Sequence, residues 1–214
     1  MSNDGQKDKG ELGQDTASLE EATNQMMFYL DDMGIFEHCA ANRSGKTFLV
    51  AKGGWDAYNN GQKVYCNCPT DPVTNEIEHI LNYPHIDYDP YELRYTNLTN
   101  VYVMIDEAAQ VLDARVCAKK EIRQLSHFFY QAKKRSLSLH YDTVLHGNID
   151  PRIRKNPDFI IYSHRVPKNW REPLQQIRLT IAHANGEAHA KIADPWQFLK
   201  PYPIYNDTVM VRQH

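Results

Sequence analysis

The stretch NRSGKTFLV, residues 42–50, contains the pattern that decides the fold of this 214-residue chain. Gly45, Lys46 and Thr47 match the end of a phosphate-binding loop, where small residues let backbone N–H groups turn onto a phosphate at a helix N-terminus. In such a loop the lysine reaches the β- and γ-phosphates of a nucleotide, and the threonine hydroxyl reaches Mg²⁺. Ala40 occupies the position of the loop's first glycine, and alanine is tolerated there unless the backbone needs a positive φ.

A second motif, VYVMIDEAAQ at residues 101–110, makes the nucleotide interpretation much stronger. Its apolar run predicts a buried strand that ends at Asp106 and Glu107, where two carboxylates would lie beside the phosphates. Asp106 is predicted to hold Mg²⁺ together with Thr47, and Glu107 to polarise the water that attacks the γ-phosphate. The residues predicted to bind ATP are Ala40, Ser44, Gly45, Lys46 and Thr47.

The glutamate that follows Asp106 narrows the class of ATPase. ATPases with such a base commonly insert an extra strand between the two motif strands, and KVYCNC, residues 63–68, lies between the two motifs in the sequence. We therefore expect a RecA-like motor core and not a nucleotide kinase, with KVYCNC as the extra strand.

Strands and helices alternate along much of the chain. Strands are predicted at residues 34–39, 63–68, 101–106, 136–144 and 158–166, and helices at 45–60, 75–82 and 117–135. The first helix is expected to be interrupted at Gly53 and Gly54. The alternation predicts an α/β fold with a mostly parallel sheet and helices on both faces. RLTIAHA and EAHAKIA, on either side of Asn185-Gly186, predict a C-terminal β-hairpin.

Composition bounds the organisation of the chain. With 214 residues, 42% of them hydrophobic, the chain is long enough for one α/β domain and too short for two. We therefore expect the motifs to lie in a single RecA-like ATPase domain over residues 18–214, which begins with a helix capped by Ser18 and Glu21. Residues 1–17 are polar and are expected to be disordered. No apolar run approaches the roughly 20 residues of a membrane span, so we expect a soluble, intracellular protein.

The net charge of −3 conceals an asymmetry along the chain. Residues 1–33 contain two Lys and eight Asp or Glu, whereas residues 115–155 contain ten Lys or Arg and three acidic residues. The basic block is either a surface for an anionic partner or a solvated helix face.

Three further stretches carry a resemblance to a known family. They are DEAAQVLDAR from Asp106, QAKKRSLSL from Gln131 and IDPRIRKNPDFIIY from Ile149. Over residues 35–166 the chain resembles the FtsK/HerA-type P-loop ATPases that package genomes into tailless, membrane-containing viruses, especially those of archaea and related proviruses. YNDT, near the C-terminus, is also similar to the tail of that family.

The resemblance implies a homo-oligomeric ring, a hexamer or a pentamer, that hydrolyses ATP to move double-stranded DNA into a preformed capsid. Its other partners would be proteins of the viral capsid vertex or membrane. Its location would be the packaging vertex of the virion and the host cytoplasm. Arg152 and Arg154 match the family's IDxRxR run, in which an arginine can reach the γ-phosphate in a neighbouring subunit. The alternative is that both pair with Asp150 or Asp158 at the surface.

The chain departs from the family in one respect. The strand after the basic helix usually ends in a glutamine that senses the γ-phosphate, and here HYDTVLHGN, residues 140–148, offers Thr143 or Asn148 instead. Two other functions stay open. One is a Zot-like ATPase that assembles filamentous phages, since those proteins also have a KVYCN-like strand. The other is a nucleotide-binding scaffold that does not hydrolyse ATP.

Overall fold

The computed structural model describes residues 33–67, 81–116, 118–169, 171–172, 176–183, 186 and 188–193. The segment predicted to be disordered, the helix predicted to follow Ser18 and most of the predicted helix at 75–82 lie outside these ranges. No helix in the described ranges is long and apolar enough to cross a membrane.

The described elements alternate between strands and helices. The strands are β1 (Gly34–Cys39), β2 (Lys63–Cys66), β3 (Ile86–Asp87), β4 (Val101–Ile105), β5 (Ser138–Thr143), β6 (Phe159–Val166), β7 (Gln176–His183) and β8 (Ala188–Ala193). The α-helices are α1 (Lys46–Asn59), α2 (Ala108–Val111) and α3 (Lys120–Ala132). Short 3-10 turns lie at Pro90–Tyr95, Ala114–Val116, Lys133–Arg135 and His146–Asn148.

One sheet joins all eight described strands, in the order β3-β2-β4-β5-β1-β6-β7-β8. The first six are parallel to one another, and β7 and β8 continue the sheet in antiparallel fashion. The predicted hairpin is β7 and β8, with Gly186 at a positive φ in the turn. The fold is therefore the predicted RecA-like arrangement. Because the six strands are parallel, their carboxyl ends share one edge of the sheet.

Three details of the prediction were wrong. The strand inserted between the motif strands β1 and β4 is β5, whereas β2, the KVYCNC strand, lies outside β4 and ends at Cys66. The helix predicted over residues 117–135 is shorter, since α3 ends at Ala132 and a 3-10 turn follows. The glycine pair does not interrupt α1, which is continuous over its whole length.

The glycine pair in α1 makes room for two tyrosines. The Tyr102 hydroxyl donates to the Val50 carbonyl and the Tyr83 hydroxyl donates to the Ala51 carbonyl, each at 2.7 Å. A Cβ atom at Gly53 would lie 2.7 Å from the Tyr102 hydroxyl, and one at Gly54 would collide with the Tyr83 hydroxyl. Packing therefore outweighs the loss of about 1 kcal/mol of helix propensity for each glycine.

A separate hydrophobic core covers each face of the sheet. The α1 face contains Phe36, Phe48, Leu49, Tyr102 and Met104, among others. The α3 face contains Ile35, Val103, Leu125, Phe129 and Leu139, among others. Burying a side chain of this size contributes about 1.5–3 kcal/mol, so the two cores fix the strand ends between the helices.

Candidate nucleotide-binding and active site

The phosphate loop connects β1 to α1 at the carboxyl edge of the sheet. Gly45 precedes α1 with φ 89° and ψ 14°, and Arg43 also has a positive φ of 62°. Ala40 does not have a positive φ, and its N–H donates to the Thr143 carbonyl at 3.1 Å. Alanine is therefore compatible with the first loop position. No side chain caps the N-terminus of α1, so its first N–H groups point into the loop, where a phosphate can bind them.

The side chains of Lys46 and Ser44 both donate hydrogen bonds to the backbone of the phosphate loop. Lys46 is only 6% exposed, and its ammonium group donates to the Ala41 carbonyl at 3.3 Å. The Ser44 hydroxyl donates to the same carbonyl at 2.6 Å and lies 3.3 Å from the Ser163 hydroxyl of β6. A buried ammonium beside a row of helical N–H groups is suited to a polyanionic ligand.

Asp106 follows β4 and lies next to the phosphate loop, as predicted. The Thr47 hydroxyl donates to its carboxylate at 3.1 Å. Asn67, which follows β2, holds the Asp106 backbone from the other side: it accepts the Asp106 N–H at 2.6 Å and donates to the Asp106 carbonyl at 3.0 Å. This reciprocal pair fixes the point at which the chain leaves β4.

Glu107 has an unusual backbone conformation, with φ 49° and ψ 48°. The left-handed region costs a residue with a side chain about 1–2 kcal/mol. Asp142 at the end of β5 stabilises it, since its carboxylate accepts the Glu107 N–H at 2.6 Å. A hydrogen bond to a charged group contributes about 1.5–3 kcal/mol, which is enough to offset the strain. Strained residues of this kind cluster at functional sites.

Asp142 also accepts a hydrogen bond from the Thr47 hydroxyl, at 3.2 Å. Asp106 and Asp142 are only 7% and 1% exposed. Burial raises the pKa of Asp106 well above its usual range, and the charges of Asp142 and Glu107 raise it further. Burial also raises the pKa of Asp142, to about 6, even though the Lys46 charge opposes the change.

These oxygen atoms fit Mg²⁺, which prefers carboxylate, hydroxyl and water ligands. A cation would stabilise the ionised forms of both buried carboxylates. Within the described ranges, no three His, Cys, Asp or Glu side chains are grouped to hold a metal ion by themselves. Mg²⁺ held by Thr47 and Asp106 would therefore need phosphate and water oxygens as further ligands.

Two buried histidines lie under the loop on the α1 face. His38 is in register with Asp142 on the neighbouring strand, and its Nε2 lies 3.1 Å from Nδ1 of His140. His140 Nε2 in turn lies 3.0 Å from the Ser138 hydroxyl. Burial lowers the pKa of His38 to about 3, with help from the Lys46 charge, and burial lowers that of His140 as well. Both rings are therefore neutral at physiological pH.

The two candidate arginines differ in their surroundings. Arg152 pairs with the buried Asp150, to which Nη2 donates at 2.7 Å and Nε at 3.0 Å. Arg154 donates a long bond of 3.5 Å to the Gly147 carbonyl. Arg152 thus makes the pairing with Asp150 foreseen as the alternative, whereas Arg154 bonds to a backbone carbonyl.

A second cluster of titratable groups lies beside Arg154. The Glu37 carboxylate is fully buried, lies 2.8 Å from Nδ1 of His146 and accepts the Tyr141 hydroxyl at 2.9 Å. Burial raises the pKa of Glu37, while His146, Tyr141 and the charge of Arg154 oppose the change. The turn at His146–Asn148, whose Gly147 carbonyl accepts a bond from Arg154, is thus tied to β1, the strand that leads into the phosphate loop.

The basic residues of α3 and of the turn that follows it have two kinds of surroundings. Five side chains spaced at helical intervals lie on the exposed face of α3 and the turn after it: Lys120, Arg123, His127, Tyr130 and Lys134. By contrast, Lys133 forms an ion pair with Asp158, and Arg135 donates to the Thr96 carbonyl at 2.8 Å. We call the five exposed residues the basic face of α3.

The structure brings together the predicted residues Ala40, Ser44, Gly45, Lys46, Thr47, Asp106 and Glu107 at one edge of the sheet. Sequence reasoning missed Asn67 and Asp142. Asn67 follows β2, which pairs with β4, and Asp142 lies near the end of β5, which pairs with both β1 and β4. These pairings depend on the order of strands in the sheet, which the sequence does not show. Of the alternatives offered for the glutamine sensor, Thr143 donates to the Leu145 carbonyl at 3.2 Å, and Asn148 is exposed.

Comparison with known proteins supports the fold. No family model matches the chain, and no curated protein matches it. Among solved structures, the genome-packaging NTPase of Sulfolobus turreted icosahedral virus 2, in complex with ATP-gammaS, has a TM-score of 0.52 at 16% identity. The match covers 75% of this chain and 97% of that one.

Two further structures are similar. The N-terminal domain of zonular occludens toxin from Neisseria meningitidis has a TM-score of 0.55 at 15% identity, and the match covers 82% of this chain and 100% of that one. A DnaB-like replicative helicase has a TM-score of 0.52 at 12% identity, and the match covers 76% of this chain and 56% of that one. At such low identities these likenesses show the fold, which is that of a P-loop NTPase.

Proposed function

We propose that the chain is an ATP-hydrolysing translocase that packages double-stranded DNA into a preformed viral capsid as a homo-oligomeric ring. The observation that carries the proposal is the convergence of Lys46, Thr47, Asp106 and Glu107 on one edge of the sheet, with Thr47 bonded to Asp106. The inserted strand β5 favours a motor ATPase with an acidic base over a nucleotide kinase.

Each residue has a chemical role in this proposal. The N–H groups at the start of α1 and the Lys46 ammonium would bind the phosphates of ATP and hold them in line for attack. Thr47 and Asp106 would hold Mg²⁺, which neutralises developing charge on the phosphate oxygens. Glu107 would orient the attacking water and accept its proton.

DNA and a viral role are supported by two observations. The first is the likeness to a viral genome-packaging NTPase. The second is the basic face of α3, since cationic side chains on one helix face suit a phosphate backbone. We further propose that the ring, a hexamer or a pentamer, acts at the packaging vertex of the virion and in the host cytoplasm, with capsid-vertex or membrane proteins as partners.

Hydrolysis with and without DNA tests the proposal. Wild-type protein should hydrolyse ATP in the presence of Mg²⁺, and duplex DNA should stimulate the rate more than single strands do. Lys46→Ala should abolish nucleotide binding or turnover while the fold survives, because Lys46 faces the ligand. Glu107→Gln should bind ATP but lose turnover by about 100-fold or more.

Two outcomes would redirect the proposal. Stimulation by single strands alone would favour a Zot-like assembly ATPase, a candidate supported by the likeness to the zonular occludens toxin domain. Absence of turnover in the wild type, with ATP still bound, would favour the scaffold, and equal measurable turnover in wild type and Glu107→Gln would show that this glutamate is not the base. Undiminished turnover in Lys46→Ala would overturn the site itself.

A further inference from the structure

We propose that Asp142 is a positioning residue that couples the phosphate loop to Glu107. It holds the backbone of the candidate base and orients the Thr47 hydroxyl toward the cation. This inference rests on the function proposed above, and it assigns a role to a residue outside both sequence motifs.

The first argument is the place of Asp142 in the sheet. It belongs to β5, which lies between the strands that carry the two motifs. Its carboxylate is 1% exposed, with one oxygen 2.6 Å from the Glu107 nitrogen and the other 3.2 Å from the Thr47 hydroxyl. One buried carboxylate thus contacts both halves of the site.

The second argument is the conformation of Glu107. A side chain in the left-handed region persists only where its surroundings hold it there, and Glu107 has φ 49°. The residue before Glu107 is held by Asn67, which bonds to both the N–H and the carbonyl of Asp106. The Asp142 bond to the Glu107 N–H is the next constraint along the chain, so it determines where the Glu107 side chain leaves the backbone.

The third argument is the single proton of the Thr47 hydroxyl. The oxygen lies within hydrogen-bond distance of both Asp106 and Asp142, but it can donate to only one of them at a time. If Asp106 held a cation through its carboxylate oxygens, Asp142 would be the acceptor that remains for this proton. Donation to Asp142 would then leave the lone pairs of the Thr47 oxygen free to bind the cation.

The variants that test this role differ in the number of hydrogen-bond acceptors at position 142. Aspartate offers an acceptor to each of the two donors, asparagine offers one, and alanine offers none. Asp142→Ala should therefore be impaired more than Asp142→Asn in every measurement. Ser126→Ala is the control, since it removes a buried hydroxyl that bonds to the Arg123 carbonyl within α3 and not to the site.

The decisive measurement of Thr47 orientation is Mn²⁺ affinity in the presence of ADP, read by electron paramagnetic resonance. It should weaken by about tenfold in Asp142→Ala and less in Asp142→Asn, and stay at the wild-type value in Ser126→Ala. Equal affinity in Asp142→Ala and wild type would overturn the proposal. This measurement needs no turnover, so it decides the role of Asp142 even if the wild type proves not to hydrolyse ATP, a result that would sink only the proposed function.

A double-mutant cycle with single-turnover hydrolysis tests the link to Glu107. Asp142→Ala should lower kcat by about 100-fold with little change in KM, and should add less than about threefold to the loss already caused by Glu107→Gln. The full additional loss in the Glu107→Gln background would mean that Asp142 acts independently of Glu107, contrary to the proposal. If Asp142→Ala does not fold, Asp142→Asn takes its place in both measurements.

Discussion

Asp106 and Asp142 are buried on the α1 face of the sheet, whereas Glu37 and Asp150 are buried on the α3 side. Among the described residues, the first two accept hydrogen bonds from hydroxyl and amide groups. The second two are paired with cationic or titratable side chains of the same chain, His146 and Arg152.

The two pairs of carboxylates therefore differ in their hydrogen-bond partners: Glu37 and Asp150 contact basic side chains of the chain, and Asp106 and Asp142 contact neutral hydroxyl and amide groups. Burying a carboxylate without a counter-charge is expensive, so the Mg²⁺ of the proposed function would stabilise the ionised forms of Asp106 and Asp142. On the α3 side, Asp150 instead holds the turn that carries Arg154, and Glu37 contacts His146 in the preceding 3-10 turn. The same distinction applies to the basic block, in which Lys133 and Arg135 bond within the chain but the basic face of α3 is exposed.

The largest expected effect concerns the two arginines of the turn. An arginine supplied by a neighbouring subunit can contribute roughly three to five orders of magnitude to turnover. Arg154→Ala should therefore lose most of its activity but keep its stability. Arg152→Ala should chiefly lose stability, because it leaves Asp150 buried without its partner.

Mixing subunits tests the contribution in trans. Inactive Arg154→Ala protein is combined with inactive Lys46→Ala protein, and some interfaces in a mixed ring then pair an intact loop with an intact arginine. Activity should return in part, as measured by phosphate release. A mixture that co-assembles and stays inactive would refute the role of Arg154 and remove this part of the contrast between the two arginines.

The next largest effect is on stability as a function of pH. The pKa of Asp142 is raised from 3.8 to about 6 by burial, so the folded state binds this proton more tightly than the unfolded state does. The protonated Asp142 carboxyl therefore stabilises the fold at low pH, and this contribution is lost as pH rises from about 4 to about 6. The free energy of unfolding should fall over that range by on the order of 1–3 kcal/mol. Asp142→Asn should accordingly gain stability relative to the wild type as pH rises from about 4 to about 6, as measured by denaturant unfolding of the ligand-free protein at the two pH values.

Asp150→Asn is the contrasting variant. Burial raises the pKa of Asp150, but the hydrogen bonds and charge of Arg152 outweigh it and lower the pKa below 3.8. The ionised form therefore stabilises the fold at neutral pH, and this contribution is lost as pH falls through the lowered pKa. Denaturant unfolding at pH 8 should show a loss of about 1–2 kcal/mol, limited because Arg152 is partly exposed. The same direction of change in both variants would break the comparison.

The smallest effect is on the salt dependence of DNA binding. Each phosphate contact contributes about 0.9 to the slope of log affinity against log salt concentration. Changing Lys120, Arg123 and Lys134 to glutamine should flatten that slope. Changing Lys133 and Arg135 should leave it nearly unaltered, because both bond within the chain. Equal slopes in the two variants would indicate that the basic face of α3 is merely solvated.

Sequence predicted the parts of this molecule that depend on local pattern. The strand at residues 34–39 and the phosphate loop were predicted within a residue, and β4 was predicted as a buried strand from its apolar run. The hairpin was predicted because Asn-Gly supplies the positive φ that its turn needs. These features are encoded by neighbouring residues, so one sequence is enough to find them.

The order of strands in the sheet was harder to predict, and two site residues were missed with it. The family resemblance points to a glutamine at the end of this strand, and so to Thr143 or Asn148 in its place and not to Asp142. Asn67 was read as part of a strand. An acidic residue at the end of the strand after a basic helix was the available signal, but its partners, Thr47 and Glu107, are 95 and 35 residues away in the chain.

The glycine pair of α1 has a consequence for anyone who tries to engineer this protein. Replacing a helical glycine with alanine is a standard route to thermostability, since it restricts the unfolded chain at no expense to the fold. In α1 the added methyl groups would displace Tyr102 and Tyr83 from the helix carbonyls that they bind. The helix positions that look easiest to improve are therefore the ones that a designer should leave untouched.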